Sequence, residues 1–353
     1  MRQILSAALA AACCLLPSLP AGASERPPAP LFAATTPLAL TLSGPFERIE
    51  AEREKDVEYR GSAAWMDGAQ RVERELKYEA RGHFRRSRDI CDHIPLWLDF
   101  DKDELAGTLF AGQNRLKLVV QCRDTSFYED YLLREEQVYR MFRVLSDISL
   151  RTRLLRVTYV DTESGARRTQ LAVLLQHHER LAERLGLEEL EVERIRRARL
   201  DPVQGNLVAL FMFMVSNTDF SMAAGKPGDD CCHNTKPLVN ADGVVFPLPY
   251  DFDAVGYVDA SYAQVPPGLG QRNVRDRLYR GYCIHNGALA RNLQLFRDRR
   301  EALLAIAGER DYLSKRSARN SLRFIERFYR IIDSEGRRER EILGACLGPP
   351  ATG

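Results

Sequence analysis

Alternation of apolar and polar positions predicts β-strands in the first half of the chain. Residues 115–122 alternate in this way and are rich in β-branched side chains, which is typical of a strand. A short apolar run over residues 96–100 predicts a buried strand just before it. Runs over 153–160 and 169–175, joined by a Glu-Ser-Gly turn, predict a hairpin. Weaker alternation between residues 57 and 78 predicts further strands with polar outer faces.

A helix is predicted over residues 128–145, where apolar side chains recur at i, i+3, i+4 and i+7. Glu135 falls within this apolar stripe, whereas Glu136 is rotated about 100° away from it. Because an unpaired buried charge is costly, Glu135 needs a cationic partner, and Lys117 on the preceding strand is a candidate. The alternative is that Glu135 lies at the edge of the stripe and Lys117 faces solvent.

The second half of the chain reads as mainly helical from residue 188 onward, after a short helical segment that starts near 176. Residues 207–215 form a continuous apolar run and are predicted to be buried on all sides. A hairpin is predicted over 236–250, around an Ala-Asp-Gly turn. Amphipathic spacing predicts two long helices over 286–307 and 312–332.

Side chains with oxygen and nitrogen acceptors follow the buried run 207–215 and the hairpin 236–250. Carboxylate and amide oxygens suit Mg²⁺ or Mn²⁺, which usually bind one or two carboxylates together with substrate phosphates. A divalent cation and a general base are therefore predicted here. The alternative is that these residues cap turns and helix ends. The candidates are Asn217, Asp219, His233, Asn234, Asp251 and Asp253.

The N-terminus is typical of a secretory signal peptide over residues 1–23, with a charged Arg2, an apolar stretch and an A-x-A cleavage pattern. A lipoprotein cleaved before Cys13 is the alternative. Residues 24–45 are rich in Pro, Ala and Thr and are expected to be a flexible mature N-terminus. We therefore expect an exported protein, periplasmic or secreted.

Composition and charge change this picture little. The chain has 51 Lys and Arg against 49 Asp and Glu, so its formal net charge is +2 and no global field favours nucleic acid. No segment after the signal approaches the ~20 apolar residues of a membrane-spanning helix. The mature length suits one large domain or two medium ones. Oligomeric state is left open.

Six cysteines remain after the signal, and an even number in an exported chain favours disulfides. Cys91 and Cys122 lie at the ends of strands that should be neighbours, so they are expected to pair. Cys231 or Cys232 pairing with Cys283 is a further expectation. A zinc site at Cys231-Cys232-His233 is the alternative, but adjacent cysteines lack the usual C-x₂-C spacing.

Several motifs between residues 81 and 283 resemble those of the spore-coat protein H kinases and similar exported bacterial proteins. The resemblance implies an α+β, protein-kinase-like bilobal fold. Residues 46–180 would form a small antiparallel β lobe with one helix, residues 181–345 a larger helical lobe, and residues 346–353 a tail. The motifs are Leu116-Lys-Leu118, Glu135 with Tyr139, Asn217-Thr-Asp-Phe-Ser221, His233-Asn234 and Pro249-Tyr-Asp-Phe-Asp253.

The resemblance also implies roles for single residues. Lys117, positioned by Glu135, would hold the α- and β-phosphates of ATP. Asp219 would accept the proton of the acceptor hydroxyl, although Asn234 follows it by fifteen residues instead of the usual five. Asn234, Asp251 and Asp253 would bind the metal ion. No glycine-rich phosphate loop is present, and arginines within residues 81–88 would replace it.

The function implied is that of an exported, Mg²⁺- or Mn²⁺-dependent phosphotransferase that moves phosphate from ATP to a hydroxyl of a protein or small molecule. One alternative is a catalytically inactive binding protein of the cell envelope. A second alternative is a nucleotidyl transferase that donates AMP.

Overall fold

Seven strands of the first half of the chain form a closed β-barrel. We describe residues 29–349 of a computed structural model. The predicted signal peptide over residues 1–23 lies outside them. The barrel order is β1-β2-β3-β4-β5-β7-β6. Its strands are β1 (Leu38–Gly44), β2 (Glu58–Asp67), β3 (Gln70–Ala80), β4 (Leu96–Phe100), β5 (Arg115–Val120), β6 (Thr152–Asp161) and β7 (Arg167–Leu175).

Strand β1 closes the barrel. It pairs antiparallel with β2, where Leu40 lies opposite Trp65, and parallel with β6, where Leu40 lies opposite Val157. The sheet therefore has no free edge between β2 and β6 and is mixed. The predicted protein-kinase-like bilobal fold, with a small antiparallel β lobe, is wrong for this reason.

The flexible stretch expected over residues 24–45 is also wrong where β1 lies. In β1 the side chains of Leu38, Leu40 and Leu42 are buried, and the intervening residues are more exposed. This period-2 pattern is present in the sequence, but the Pro, Ala and Thr residues around it favour a flexible stretch. Residues 24–28 lie outside the described part of the chain.

Close packing inside the barrel depends on Gly61 of β2. A β-carbon at Gly61 would lie 2.1 Å from the Ser43 carbonyl oxygen and 2.4 Å from the Tyr78 ring. The buried Tyr78 hydroxyl shares its proton between the Ser62 carbonyl at 2.9 Å and the Ser43 carbonyl at 3.2 Å, which flank this contact. Only glycine leaves room for the ring at this position.

Helices and a small sheet complete the fold. The strands β8 (Glu188–Glu189), β9 (Thr235–Val239) and β10 (Val245–Pro249) form a three-stranded sheet, and β9 with β10 confirms the predicted hairpin. Between β8 and residue 202 the chain is largely irregular, which corrects the prediction of helix from 188 onward. The helices are α1 (Phe46–Ala51), α2 (Ser126–Leu145), α3 (His178–Leu185), α4 (Pro202–Val215), α5 (Leu289–Asp298), α6 (Arg300–Gly308), α7 (Lys315–Ile332) and α8 (Glu335–Arg338).

The apolar run predicted to be buried on all sides is α4. Every residue from Gln204 to Val215 is buried, in a core shared with α2, β10 and α7. Pro202 starts the helix, and the Asp201 carboxylate accepts a hydrogen bond from the Gln204 N–H at 2.7 Å. The polar residues that follow α4 therefore begin from a fixed point in the core.

Helix α2 lies between the barrel and this helical core. Leu132 and Leu133 pack on the outer face of β5, β6 and β7, while Val138 and Phe142 belong to the core around α4. Glu135 is buried as its stripe position predicts, so the alternative in which it reaches water is wrong. Glu136 is buried too, against the prediction from its rotation on the helix.

Three disulfides join the six cysteines of residues 29–349. Cys91–Cys122 confirms the expected pair, and disulfides rather than a zinc site are present. The expected link from Cys231 or Cys232 to Cys283 is wrong, because the two adjacent cysteines bond to each other. Cys283 pairs with Cys346, which fixes the beginning of the predicted tail. Within residues 29–349, every helix is too short or too polar to cross a bilayer.

Candidate functional site

All six residues to which a role was assigned from the sequence line one cleft. The cleft has a volume of about 480 Å³, which falls in the range of small-molecule sites. Strand β5 supplies one residue, α2 another, and the loops after α4 and β10 the others. Their roles stay predictions, but their convergence is a feature of the structure. They are Lys117, Glu135, Asp219, Asn234, Asp251 and Asp253.

The end of α4 sets the position of Asn217. The helix terminates at Ser216 in a left-handed conformation, with φ of 56°, and the Asn217 N–H donates to the Met212 carbonyl. The Ser216 hydroxyl donates to the Val274 carbonyl at 2.8 Å, which ties the helix end to the loop beyond β10. The backbone of Asn217 is therefore fixed by the helix end, independently of its side-chain contacts.

Asp219, His233 and Asn234 form one hydrogen-bonded group. His233 Nε2 lies 2.8 Å from Asp219 Oδ1, and Asn234 Nδ2 donates to the Asp219 carbonyl at 2.6 Å. The hydrogen bond from His233 holds the pKa of Asp219 below its usual range. Asp219 is thus an ionised acceptor at neutral pH. Its partner His233 is a candidate from the sequence to which the resemblance gave no individual role.

Hydrogen bonds join the two ends of the segment between Asp219 and Asn234, which are fifteen residues apart. The Ser221 N–H donates to the His233 carbonyl at 2.9 Å, and the Thr235 hydroxyl donates to the Ser221 carbonyl at 2.7 Å. The intervening residues therefore project as a loop that contains the Cys231–Cys232 disulfide. Residues distant in sequence meet here because the loop's two ends are bonded together.

Three carboxyl groups share the inner part of the cleft with Arg85. One Arg85 nitrogen lies 4.0 Å from Glu135 and 3.7 Å from Asp253. Burial, and then the charge of Asp253, raise the pKa of Glu135 to about 8. Burial, and then the charge of Asp251, raise the pKa of Asp253 to about 6. This region favours bound protons or a bound cation at neutral pH.

Asp251 is positioned by α2 and the end of β10. Its backbone is left-handed, with φ of 64°, and its N–H donates to the Tyr139 hydroxyl at 3.0 Å. The Tyr139 ring packs edge-on against Phe252, with centroids 4.8 Å apart. The Asp251 side chain is exposed to the cleft, whereas the neighbouring Phe252 anchors the turn in the core.

Lys117 does not pair with Glu135 as expected. Its ammonium lies over two aromatic rings, 5.4 Å from the centre of Trp97 and 5.0 Å from that of Tyr250. No ion pair joins Lys117 to Glu135 in the described part of the chain, and Arg85 takes the place beside Glu135. Burial, with Arg81 nearby, lowers the pKa of Lys117 to about 7, against the opposing charge of Asp251.

Asn217 has an unused donor at the cleft. Its side chain is buried and lines the cavity, and its Oδ1 accepts the Asp219 N–H at 3.0 Å. Its Nδ2 is buried and has no hydrogen-bond partner in residues 29–349. A buried amide without a partner is costly unless a ligand or water accepts its hydrogen bond. Asn217 was predicted from the sequence as an acceptor. Its free donor could not be predicted, because it depends on the surroundings of the side chain.

The oxygen atoms at the cleft wall would suit a cation that takes only some of its ligands from the protein. Asp251, Asp253 and Asn234 supply carboxylate and amide oxygens at its wall. The carboxylate atoms do not form a compact group of three, since residues 29–349 contain only one such group of His, Cys, Asp or Glu, and it lies elsewhere. Mg²⁺ commonly binds with few protein ligands, and takes the rest from water and phosphate.

A scan of protein-family models gives no match to this chain, and a search of curated proteins gives no significant one. The functional interpretation therefore depends on the geometry and chemistry of the cleft.

Proposed function

We propose that the cleft binds ATP with Mg²⁺ or Mn²⁺ and transfers a phosphoryl group to a hydroxyl of a protein or small molecule, in an exported protein. The observation that carries the proposal is the meeting of a partly buried lysine, an ionised aspartate and several oxygen ligands in one cavity. Phosphoryl transfer needs positioning and charge neutralisation more than covalent chemistry by the protein. The proposal uses this arrangement and not a kinase-like fold.

Each group has a part in the proposed reaction. The cation on Asp251, Asp253 and Asn234 would neutralise the phosphate oxygens. Asp219 would take the proton of the acceptor hydroxyl, whose oxygen bonds to the γ-phosphorus as the bond to the β-phosphate oxygen breaks and ADP leaves. His233 would position Asp219 through their 2.8 Å contact, and the free Asn217 donor would bind an oxygen of the substrate.

The environment of Lys117 is unfavourable for a charged ammonium, and this supports a role for Lys117 in binding phosphate. Its burial favours the neutral amine, so its pKa lies near 7. A triphosphate beside it would restore the charged form, because an opposite charge within a few ångströms stabilises the ammonium. The aromatic rings of Trp97 and Tyr250 lie beside the ammonium and restrict its position in the cleft.

Thermal unfolding with and without ATP and Mg²⁺ or Mn²⁺ tests binding. A ligand that binds the folded state at about 100 times its Kd stabilises it by about 2.7 kcal/mol, so the wild type should show a clear rise in Tm. Asp251→Asn and Lys117→Met should lose most of that rise. Asp242→Asn, at an exposed turn, is the matched control and should retain it.

Transfer is then measured by mass spectrometry of candidate acceptors incubated with the protein. An added phosphate supports the proposal. An added AMP would replace it with nucleotidyl transfer. Binding of ATP without any turnover would favour the inactive binding protein. A wild type that shows no Tm shift at millimolar nucleotide, like Asp251→Asn, would exclude the enzyme versions altogether.

A further inference from the structure

A second group of metal-binding side chains lies at the junction of β7 and α3, outside the carboxylate cluster of the cleft. His177, His178 and Glu179 each offer one ligand atom, and these atoms all lie within 4.8 Å of one another. This is the only group of three His, Cys, Asp or Glu residues in the described range 29–349 that is so compact. We propose that these three residues bind a first-row transition-metal ion, with Zn²⁺ as the best-fitting one.

One of the ligand-atom distances is close to that of a tetrahedral site. Bonds of about 2.0–2.1 Å place tetrahedral ligands roughly 3.3 Å apart. The Glu179 carboxylate lies 3.6 Å from His177 Nδ1, and the two imidazole rings stack with centroids 4.3 Å apart. The three residues are consecutive, with His177 just before α3 and His178 and Glu179 in its first turn, so side-chain rotations would have to bring their ligand atoms to bonding distance of one ion.

The surroundings of His178 are those of a metal ligand. Its Nε2 lies 2.6 Å from the Glu189 carboxylate, which is itself 2.5 Å from the Lys236 ammonium. Metal-binding histidines usually donate their second ring N–H to a carboxylate in this way, and the contact fixes both tautomer and ring orientation. Nδ1 of His178 is then the nitrogen left for an ion.

His177 is held in place by its neighbours. Its side chain is 12% exposed, its Nδ1 lies 3.6 Å from the Glu179 carboxylate, and its ring lies 5.7 Å from that of Trp97. The packing around the ring therefore limits where its nitrogens can be placed.

The donor set selects the ion. Two imidazoles and one carboxylate suit Zn²⁺ and leave a fourth position for water, whereas Mg²⁺ prefers oxygen ligands. The positive charges of Lys117 and Arg115 lie near His177 and oppose a cation. The carboxylates of Glu179 and Glu189 offset them. This site is therefore chemically distinct from the oxygen ligands of the cleft.

Calorimetric titration of the metal-stripped full chain with Zn²⁺ tests the proposal. The wild type should bind one ion with a Kd below about 10 µM. His178→Ala and Glu179→Gln should each weaken this binding at least tenfold. His83→Ala, at an exposed histidine, and Asp251→Asn, in the cleft, should bind Zn²⁺ as the wild type does. Co²⁺ bound in place of Zn²⁺ should show visible absorption of a tetrahedral site.

Two results would overturn the site: no Zn²⁺ binding by the wild type, or unchanged affinity in both variants. Glu179→Gln alters an exposed side chain and keeps its size, so it stays informative if His178→Ala fails to fold. Failure here leaves the ATP measurements unaffected. The Asp251→Asn variant separates the two sites, since it should lose the nucleotide response and keep the zinc response.

Discussion

Glu135 carries the largest upward pKa shift among the carboxyl groups of the cleft. It is buried, it faces Asp253 and Asp251, and its nearest cation is Arg85 at 4.0 Å. In the absence of another cation, the folded protein therefore keeps a proton on Glu135 that the unfolded chain would release above pH 4.5. A divalent ion in the cleft would take the place of that proton.

The contribution of Glu135 to the stability of the protein should consequently fall as pH rises from about 4.5 to 8. The folded state binds more protons than the unfolded state in this window, because the folded pKa of Glu135 is raised. The contribution is complete below the unfolded pKa and is lost as pH passes through the folded pKa. Glu135→Gln should remove this slope, a difference of a few kcal/mol across the window, measured by urea unfolding at several pH values.

Glu58→Gln is the control, since Glu58 is exposed on β2 and should leave the pH dependence as in the wild type. Parallel stability curves for wild type and Glu135→Gln would show that Glu135 ionises normally. Lys117 acts in the opposite direction but mainly above pH 7, since its folded pKa is lowered and its contribution grows towards its unfolded value. Histidines with shifted pKa values, such as His177, also titrate below pH 7, but they are common to both proteins. The difference between wild type and Glu135→Gln therefore isolates Glu135.

For single residues, burial could be predicted from the sequence but contact partners could not. The stripe position of Glu135 predicted its burial, because helical periodicity fixes which face a side chain occupies. It did not predict the partner, because Arg85 arrives from a loop whose path no periodicity describes. The free Nδ2 of Asn217 is likewise a property of its surroundings and not of its residue type.

At the level of elements, α2 acts as the support for the turn after β10. The Tyr139 hydroxyl accepts the Asp251 N–H, and the Tyr139 ring packs on Phe252. This contact fixes the left-handed backbone of Asp251, a conformation that residues other than glycine adopt at some cost. One hydroxyl thus links the barrel-side helix to the proposed cation ligand.

Tyr139→Phe should weaken this link while leaving the core packed. Loss of a buried hydrogen bond costs about 1 kcal/mol of stability, and the unbonded N–H should let the Asp251 turn relax. We expect a small drop in Tm and a larger loss of the Mg²⁺-ATP response. Tyr312→Phe, at an exposed ring, is the control for the hydroxyl change. An unchanged ATP response in Tyr139→Phe would show that Asp251 holds its position without α2.

Elements with strong periodicity were predicted well, and those defined by distant partners were not. The α2 helix, the β6–β7 hairpin and the β9–β10 hairpin follow from local patterns and turn residues. Strand β1 has a period-2 pattern of its own, but the Pro, Ala and Thr residues around it favoured a flexible stretch. No local pattern shows its pairing with β2 and β6. The closed barrel, and hence the fold class, depends on that one strand.

For the whole molecule, two of the disulfides close loops of different length. Cys91–Cys122 links residues 31 apart beside the barrel, and Cys283–Cys346 links residues 63 apart around the helical core. Closing a longer loop removes more entropy from the unfolded chain. The second bridge should therefore contribute more stability than the first.

Paired alanine substitutions test this ordering. Cys283→Ala with Cys346→Ala should lower the free energy of unfolding by about 2–4 kcal/mol, measured by guanidinium unfolding. Cys91→Ala with Cys122→Ala is the matched comparison and should cost about 0.6 kcal/mol less by loop length alone. A larger loss for the shorter loop would show that native contacts, and not chain entropy, dominate these bridges.

Closure of the barrel through β1 has a consequence for the order in which the polypeptide acquires its shape. The register that places Leu40 beside Val157 joins positions roughly 120 residues apart. When the N-terminal strand leaves the ribosome, its parallel neighbour has not yet been synthesised. The apolar side of that strand therefore stays uncovered until β6 emerges, and a chaperone that holds nascent chains would find it there.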